Sequence, residues 1–150
     1  MTATLPSLSF REAIADALHR AVLAFDIADS ALLNSALTPD AILDLDGYTM
    51  NGLDEIYRQC YDRVSKLDTT HFVSNGRVDV IEGASVASMT ASVLSQHYRP
   101  GTGKVPGAEY LMAGSLYSLD LVRDDTEGLW KIKRWNMKVI WTMGDASVME

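Results

Sequence analysis

The first third of the chain has the hydrophobic periodicity of helices. Between residues 10 and 28, apolar side chains recur at spacings of three and four, which places them on one helix face: Phe10, Ile14, Ala17, Leu18, Ala21, Val22 and Phe25. Ser9 is the predicted N-cap of this helix, and Glu12 completes a capping box with it. The pattern therefore predicts a long first helix that buries one face.

Two shorter helices and one short strand are predicted before residue 70. Asp29-Ser30 offers a cap for a helix over Ala31–Leu37, and Thr38-Pro39-Asp40 is predicted to end it. A short strand closed by a turn is predicted over Ala41–Asp46. Asn51-Gly52 opens a third helix, with an apolar face formed by Leu53, Ile56, Cys60 and Val64.

Beyond residue 70 the pattern changes to that of strands. Four long segments rich in β-forming residues are separated by turn or loop sequences: Thr70–Ile81, Val86–Tyr98, Glu109–Arg123 and Leu129–Met143. The last residues, Gly144–Glu150, are predicted to form a tail. Helices followed by long antiparallel strands predict an α+β fold, in which the helices cover one face of a sheet.

The length of these strands gives the first indication of function. The predicted strands have 12 to 15 residues, whereas a strand usually has about 5–6. A sheet of that length must twist and bend. We expect the bent sheet, closed by the helices, to enclose a cone-shaped pocket for a small molecule.

The composition narrows the class of protein. The 150 residues suit one domain, with a core over about residues 10–143. Acidic residues outnumber basic ones by 20 to 13, a formal net charge of −7, which argues against nucleic acid or an anionic membrane as partner. The single cysteine, Cys60, excludes an intramolecular disulfide. With neither a long apolar run nor a secretory signal pattern, the chain is expected to be cytoplasmic.

Two of the three histidines are predicted to meet. His71 and His97 lie 11 to 13 residues from the predicted hairpin turn at residues 82–85, so both are expected at the open end of that hairpin. His97 also shares a strand face with side chains that carry no charge: Ala87, Met89, Ala91, Val93 and Ser95. Such a histidine is either a satisfied core residue or an acid–base group in a pocket. His19, off the apolar helix face, is interpreted as a solvated residue.

Asp26 is the candidate carboxylate to orient an imidazole. It follows Phe25 at the edge of the buried helix face, although an exposed carboxylate at a helix end is an alternative interpretation. Asp26 and the two histidines have the residue types of a metal triad. Because no short-spaced ligand motif, phosphate loop or dinucleotide fingerprint occurs, we expect neither a metal nor a cofactor.

Several short stretches resemble one known family. In their order and spacing, they are similar to the SnoaL-like and scytalone dehydratase-like branch of the NTF2-like superfamily: Phe25-Asp-Ile-Ala-Asp29, Thr38-Pro-Asp-Ala41, Thr70-His-Phe-Val73, Met112-Ala-Gly-Ser115 and Gly128-Leu-Trp-Lys-Ile132. The resemblance covers about residues 10–143. It implies a cone formed by a strongly curved sheet around helices, a pocket for a small apolar molecule, and a homodimer or homotrimer.

The resemblance to scytalone dehydratase also implies roles for individual residues. His71 matches the histidine that acts as general acid–base, and His97 matches the second histidine of that site. Asp26 matches the aspartate that hydrogen-bonds this second histidine. Ser118 falls where the family has a serine, and Asp120 where it has an asparagine.

The chain departs from that family at two tyrosines that polarise the substrate carbonyl through a water. Their positions are held here by Phe25 and Leu45. A replacement phenol has four candidates, of which the sequence does not select one: Tyr48, Tyr57, Tyr61 and Tyr117. Tyr117 is attractive because it lies beside Ser118, although a core aromatic residue is the alternative interpretation.

These features predict a cofactor-independent enzyme of secondary metabolism. We expect acid–base dehydration, isomerisation or cyclisation of a polyketide- or terpenoid-like substrate, with His71, His97 and Asp26 as catalytic residues. The expected substrate-binding residues are Phe25, Leu45, Tyr48, Tyr117, Ser118 and Asp120. The alternative is a non-catalytic ligand-binding or assembly module, because a fold does not determine a function.

Overall fold

Three helical segments precede the long strands in the computed structural model, which describes all residues, Met1–Glu150. The first, α1 (Phe10–Asp26), begins at Ser9 with the predicted capping box, in which Ser9 and Glu12 each accept the other's backbone N–H. Asp29 caps α2 (Ser30–Ala36). The third segment consists of α3 (Leu53–Ile56), a π-helical turn (Tyr57–Tyr61) and α4 (Asp62–Val64). None of the helices is long and apolar enough to cross a membrane.

Six strands form one curved sheet. In chain order they are β1 (Leu37–Leu45), β2 (Tyr48–Asn51), β3 (Asp68–Asp79), β4 (Val86–Tyr98), β5 (Tyr110–Asp124) and β6 (Leu129–Gly144). The spatial order is β2-β1-β6-β5-β4-β3, and every pair is antiparallel except β1 with β6. The predicted α+β class is confirmed.

The sequence pattern fails where the chain enters and leaves the sheet. The second helix ends at Ala36, just before Thr38-Pro39-Asp40 as predicted, but the strand expected from Ala41 already begins at Leu37 and includes these three residues. A register shift between Leu37 and Ile42 accommodates them, since Pro39 cannot donate to the ladder with β6. The strand β2 was not predicted; it pairs with β1 across a tight turn in which Asp46 and Gly47 both have positive φ.

The predicted tail is also wrong. Residues Ala146–Met149 form a short 3₁₀ helix that packs back onto the protein. Val148 is only 1% exposed, and Met149 packs against the core. A segment this short, with polar residues at Asp145 and Ser147, has no hydrophobic periodicity that would predict a helix. The side chains of Val148 and Met149 nevertheless pack against the sheet.

The core fills the space between the helices and the concave face of the sheet. Its largest fully buried side chains come from both layers, and include Ile14, Leu18, Leu33, Leu119, Ile132 and Trp135. Two register irregularities between β5 and β6 help the long strands to bend. The core does not fill the whole cone, and a cavity remains near the end of α1 that carries Phe25.

One charged side chain lies inside this core. Arg20 is 4% exposed, and its guanidinium pairs with Asp16 at 2.8 Å. It also donates to the backbone carbonyl and the hydroxyl of Ser35, and to the backbone carbonyl of Trp130 at 2.6 Å. Because these partners come from α1, α2 and β6, Arg20 ties both helices to the sheet.

Candidate active site

The β3–β4 hairpin brings His71 and His97 together. In its register Thr69 faces His97 and His71 faces Ser95, so the two histidines lie two residues apart diagonally on the same face. Their ring centroids are 5.7 Å apart. The expected meeting of the two histidines at the open end of the hairpin is therefore found in the structure.

Asp26 makes two hydrogen bonds to one of these histidines. Its Oδ1 atom lies 2.6 Å from His71 Nδ1, and its Oδ2 atom accepts the His71 backbone N–H at 2.9 Å. The expected pairing of Asp26 with His97 is therefore wrong. The reason is topological: α1 packs against β3, the edge strand that carries His71, whereas β4 lies one strand further into the sheet.

The Asp26 contacts fix the protonation pattern of the neutral His71 ring. An ionised carboxylate only accepts hydrogen bonds, so the ring proton lies on Nδ1 and points at Asp26. The lone pair is then on Nε2, and the His71 side chain lines the cavity. The Asp26 and His71 side chains are only 13% and 10% exposed, so little water competes for these bonds. This arrangement is that of an oriented general base.

His97 is held in its uncharged form. It is 6% exposed, and its Nδ1 atom lies 2.7 Å from the Thr69 hydroxyl. Burial, together with repulsion from a charged His71, lowers the pKa of His97 from 6.5 to about 4, although Asp26 partly opposes the shift. At neutral pH His97 therefore offers a neutral hydrogen-bonding ring to the cavity that it lines.

The cavity has a volume of about 290 Å³ and mostly apolar walls. Two residues that the resemblance places at the tyrosine positions, Phe25 and Leu45, lie in these walls together with Trp135. Between the histidines and the apolar walls, the hydroxyls of Ser95 and Ser115 also reach the cavity. No set of three or more His, Cys, Asp or Glu side chains is arranged to hold a metal ion.

Three of the expected substrate-binding residues do not line this cavity. Tyr117 points into it, so by strand alternation Ser118 and Asp120 point away; Ser118 lies in a separate surface depression and Asp120 is exposed. Tyr48 is 59% exposed and donates to Gln59 on the outside. The prediction failed for Ser118 and Asp120 because it fixed their positions by family spacing rather than by the inward direction of Tyr117.

The same alternation identifies residues that the sequence interpretation missed. Ser115 lies two residues before Tyr117 and shares its inward face, so the period of the strand could have found it. Arg63 and Met149 also line the cavity. Met149 escaped notice because its segment was predicted to be a tail, and Arg63 because it lies next to a helix face defined by apolar residues alone.

Of the four candidate phenols, Tyr117 is the one whose hydroxyl makes no hydrogen bond within the protein. It is 4% exposed, lines the cavity and packs edge-on against Trp135. The hydroxyls of the other three candidates are engaged: Tyr48 with Gln59, Tyr57 with Asn34 and Ser30, and Tyr61 with the Ala24 carbonyl. Burial raises the pKa of Tyr117, so it stays a protonated donor.

The curved sheet, the helices and the enclosed apolar cavity define the class, which is the NTF2-like superfamily. Within it, the chain belongs to the SnoaL-like domain family, which matches residues 6–136. Over 143 residues it is 53% identical to terrestric acid biosynthesis cluster protein E of Penicillium crustosum, covering 95% of this chain and 91% of that protein.

Solved structures of other proteins share the fold at low sequence identity. Hexachlorocyclohexane dehydrochlorinase LinA-type3 from Novosphingobium barchaimii is 20% identical, with a TM-score of 0.69 over 91% of this chain and 90% of that one. A candidate scytalone dehydratase from Novosphingobium aromaticivorans is also 20% identical, with a TM-score of 0.74 over 90% and 87%. The predicted NTF2-like fold and the resemblance to the SnoaL-like family are confirmed.

Proposed function

We propose that this protein catalyses proton transfer on a small apolar substrate of secondary metabolism, without a cofactor, and thereby achieves a dehydration, isomerisation or cyclisation. The observation that carries the proposal is the pair of hydrogen bonds that Asp26 accepts from His71. A carboxylate that fixes the tautomer also stabilises the imidazolium that forms when Nε2 takes a proton. The name of the 53% identical relative, which refers to the biosynthesis of terrestric acid, supports the assignment to secondary metabolism.

His71 is the group that moves the proton. Its Nε2 atom removes a proton from carbon, and in a dehydration the resulting imidazolium can return that proton to the departing hydroxyl. Asp26 holds the ring in place throughout, because one of its oxygens is anchored on the backbone N–H of the same residue. No other group in the cavity combines a basic nitrogen with a charged orienting partner.

Tyr117 and His97 stabilise the charge that develops on the substrate. Loss of a proton next to a carbonyl places negative charge on its oxygen, and a neutral donor in a dry cavity stabilises that charge strongly. The Tyr117 hydroxyl has no competing partner in the protein. If the Thr69 hydroxyl donates to Nδ1 of His97, the ring carries its proton on Nε2 as a second donor. Phe25, Leu45 and Trp135 exclude water around the reacting groups.

The substrate of the relative gives a direct test. A Penicillium crustosum strain that lacks terrestric acid biosynthesis cluster protein E is complemented with the parent chain or with His71→Gln, and terrestric acid and accumulating precursors are measured by mass spectrometry. The precursor that the parent consumes is then used for single-turnover kinetics with both purified proteins. We expect His71→Gln to reduce turnover by about 10²–10⁴-fold.

Ligand binding separates this proposal from the alternative of a binding module. Because the His71 ring offers the ligand chiefly one hydrogen bond, His71→Gln should weaken the binding of that precursor by only about tenfold or less. Equal complementation and equal turnover by the two proteins would contradict catalysis by His71 and favour the non-catalytic alternative. The homodimer or homotrimer and the cytoplasmic location stay predictions.

A further inference from the structure

One positive charge lies at the mouth of the mostly apolar cavity. Arg63, in α4, is exposed, and it is the sole Arg, Lys, Asp or Glu among the residues that line the cavity. No carboxylate lies within ion-pair distance of its guanidinium. Its one side-chain hydrogen bond is a long one of 3.4 Å to the Gln59 carbonyl, one turn earlier. The guanidinium is therefore available to a ligand.

The position of Arg63, rather than its lack of an ion pair, sets it apart in this chain. Three of the thirteen Lys and Arg side chains, Arg20, Arg99 and Lys131, pair with a carboxylate, and of the other ten Arg63 is the one that lines the cavity. Arg63 adjoins the cavity, where a nearby carboxylate side chain would repel an anionic ligand. The cavity wall instead holds no Asp or Glu.

The surface that adjoins the mouth also carries more positive than negative side chains. Arg58, Lys66 and Arg99 surround the depression next to Arg63, against the two acidic side chains Asp62 and Glu150. Arg99 is engaged by Glu109, whereas Arg58 and Lys66 make no ion pair. Although the whole chain has a net charge of −7, the rim of the entrance is therefore positively charged. A positive rim favours the approach of an anion.

We infer that the substrate carries a carboxylate, which Arg63 binds at the mouth while the apolar body of the molecule extends into the cavity towards His71. This inference rests on the proposed function, because it assigns the substrate class of the same site. A guanidinium presents two parallel N–H donors that match the two oxygens of a carboxylate. Binding of the anionic group at the rim orients the apolar part against the histidines, where the proton is moved.

A pair of probe ligands tests the carboxylate directly. Naphthalene-2-carboxylate and naphthalene-2-carboxamide have the same shape, and they differ in charge. Their affinities are measured by calorimetry for the parent, Arg63→Gln, Arg63→Lys and the matched control Arg58→Gln, which removes the same charge from the rim but not from the cavity wall. We expect the parent to prefer the carboxylate by about tenfold or more.

The variants decide which residue is responsible. Arg63→Gln should abolish the preference and leave carboxamide binding unchanged, Arg63→Lys should retain part of it, and Arg58→Gln should retain most of it. Equal affinities for the two probes in the parent, binding of neither probe, or an undiminished preference in Arg63→Gln would each overturn the inference.

The probe experiment tests the carboxylate site separately from the catalytic role of His71. His71→Gln should keep the preference for the carboxylate, because His71 does not hold the anionic group. A normal preference combined with normal turnover in His71→Gln would leave the carboxylate site standing and remove the proton-transfer role. Loss of turnover in His71→Gln, with no preference for the carboxylate in the parent, would support the proton-transfer role and remove the carboxylate site.

Discussion

Two buried polar clusters in this protein show opposite hydrogen-bonding patterns. In the core, Arg20 has its guanidinium surrounded by Asp16, Ser35 and Trp130. At the cavity, both carboxylate oxygens of Asp26 accept hydrogen bonds from His71, whereas His71 Nε2 and the Tyr117 hydroxyl have no partner in the protein. A buried network satisfied within the protein stabilises and specifies a structure, whereas polar atoms that face a cavity without a protein partner are free to contact a ligand. The comparison therefore assigns the first cluster to stability and the second to chemistry.

The largest expected effect distinguishes the clusters by activity. His71→Gln should lower turnover by about 10²–10⁴-fold. It should lower the free energy of unfolding by only about 1–2 kcal/mol, since Asp26 loses one hydrogen bond from the ring but keeps the one from the backbone N–H of residue 71. Single-turnover kinetics and urea unfolding of the same preparation measure both quantities. If His71→Gln lost as much stability as is expected of the Arg20 variant below, the contrast between the two clusters would be removed.

The opposite result is expected at Arg20. Arg20→Met keeps much of the side-chain volume but leaves the Asp16 carboxylate, 14% exposed, without its cation, and two backbone carbonyls without a donor. Breaking one partner out of a buried ion pair costs about 3–5 kcal/mol. Urea unfolding should show this loss, and ligand binding by the remaining folded protein should be normal. A change below about 1 kcal/mol would contradict the structural role.

The sequence predicted the general form of the fold but not the Arg20 cluster. Hydrophobic periodicity places residues on helix or strand faces, and it correctly gave the buried face of α1 and the register that joins His71 with His97. Arg20 lies on that same buried face. From the sequence alone, a buried charged side chain cannot be distinguished from one that faces solvent. The distinction depends on its partners from α2 and β6, which are distant in sequence.

The site was predicted in part, for a similar reason. Local pattern identified the histidines and Asp26. The resemblance gave Phe25 and Leu45, and it raised Tyr117 as one of four candidate phenols. Which histidine Asp26 contacts depends on the strand that α1 crosses, and this is a property of topology rather than of spacing. Arg63 and Met149 enter the cavity from segments remote in sequence, so no local signal places them there.

Tyr117→Phe sharpens the comparison at a single atom. Removing the hydroxyl should lower turnover by about 10–100-fold if it donates to developing negative charge. Because that hydroxyl makes no hydrogen bond to the protein, stability should stay the same or rise slightly. Tyr57→Phe is the matched control, since its hydroxyl is engaged with Asn34 outside the cavity. Equal turnover in the parent and Tyr117→Phe would exclude this residue from catalysis.

A pH dependence of stability is expected at His97. The pKa of this histidine is lowered from 6.5 to about 4 by folding, so between these values the unfolded chain binds a proton that the native protein does not. Stability is therefore lost as the pH falls from about 6.5 to about 4, by up to about 3 kcal/mol from this group. His97→Asn should unfold with a shallower pH dependence, and His19→Asn, at an exposed position, should behave like the parent. A pH dependence that is the same in His97→Asn and the parent would contradict the assignment.

Asp26→Asn provides the sharpest probe of the central claim, because its effect follows from hydrogen-bond direction. One oxygen of Asp26 accepts the His71 backbone N–H, and an asparagine must place its single oxygen there. Its NH₂ group then donates to Nδ1 of His71, which forces the ring proton onto Nε2. The variant keeps the geometry but removes the basic atom from the cavity.

The ¹⁵N NMR spectrum of the histidine rings measures this tautomer directly and requires no substrate. In the neutral ring of the parent, the account predicts that His71 carries its proton on Nδ1 and a lone pair on Nε2, with the two nitrogens exchanging roles in Asp26→Asn. His71 protonated on Nε2 in the parent, or the same tautomer in both proteins, would contradict the claim that Asp26 orients His71 as the base.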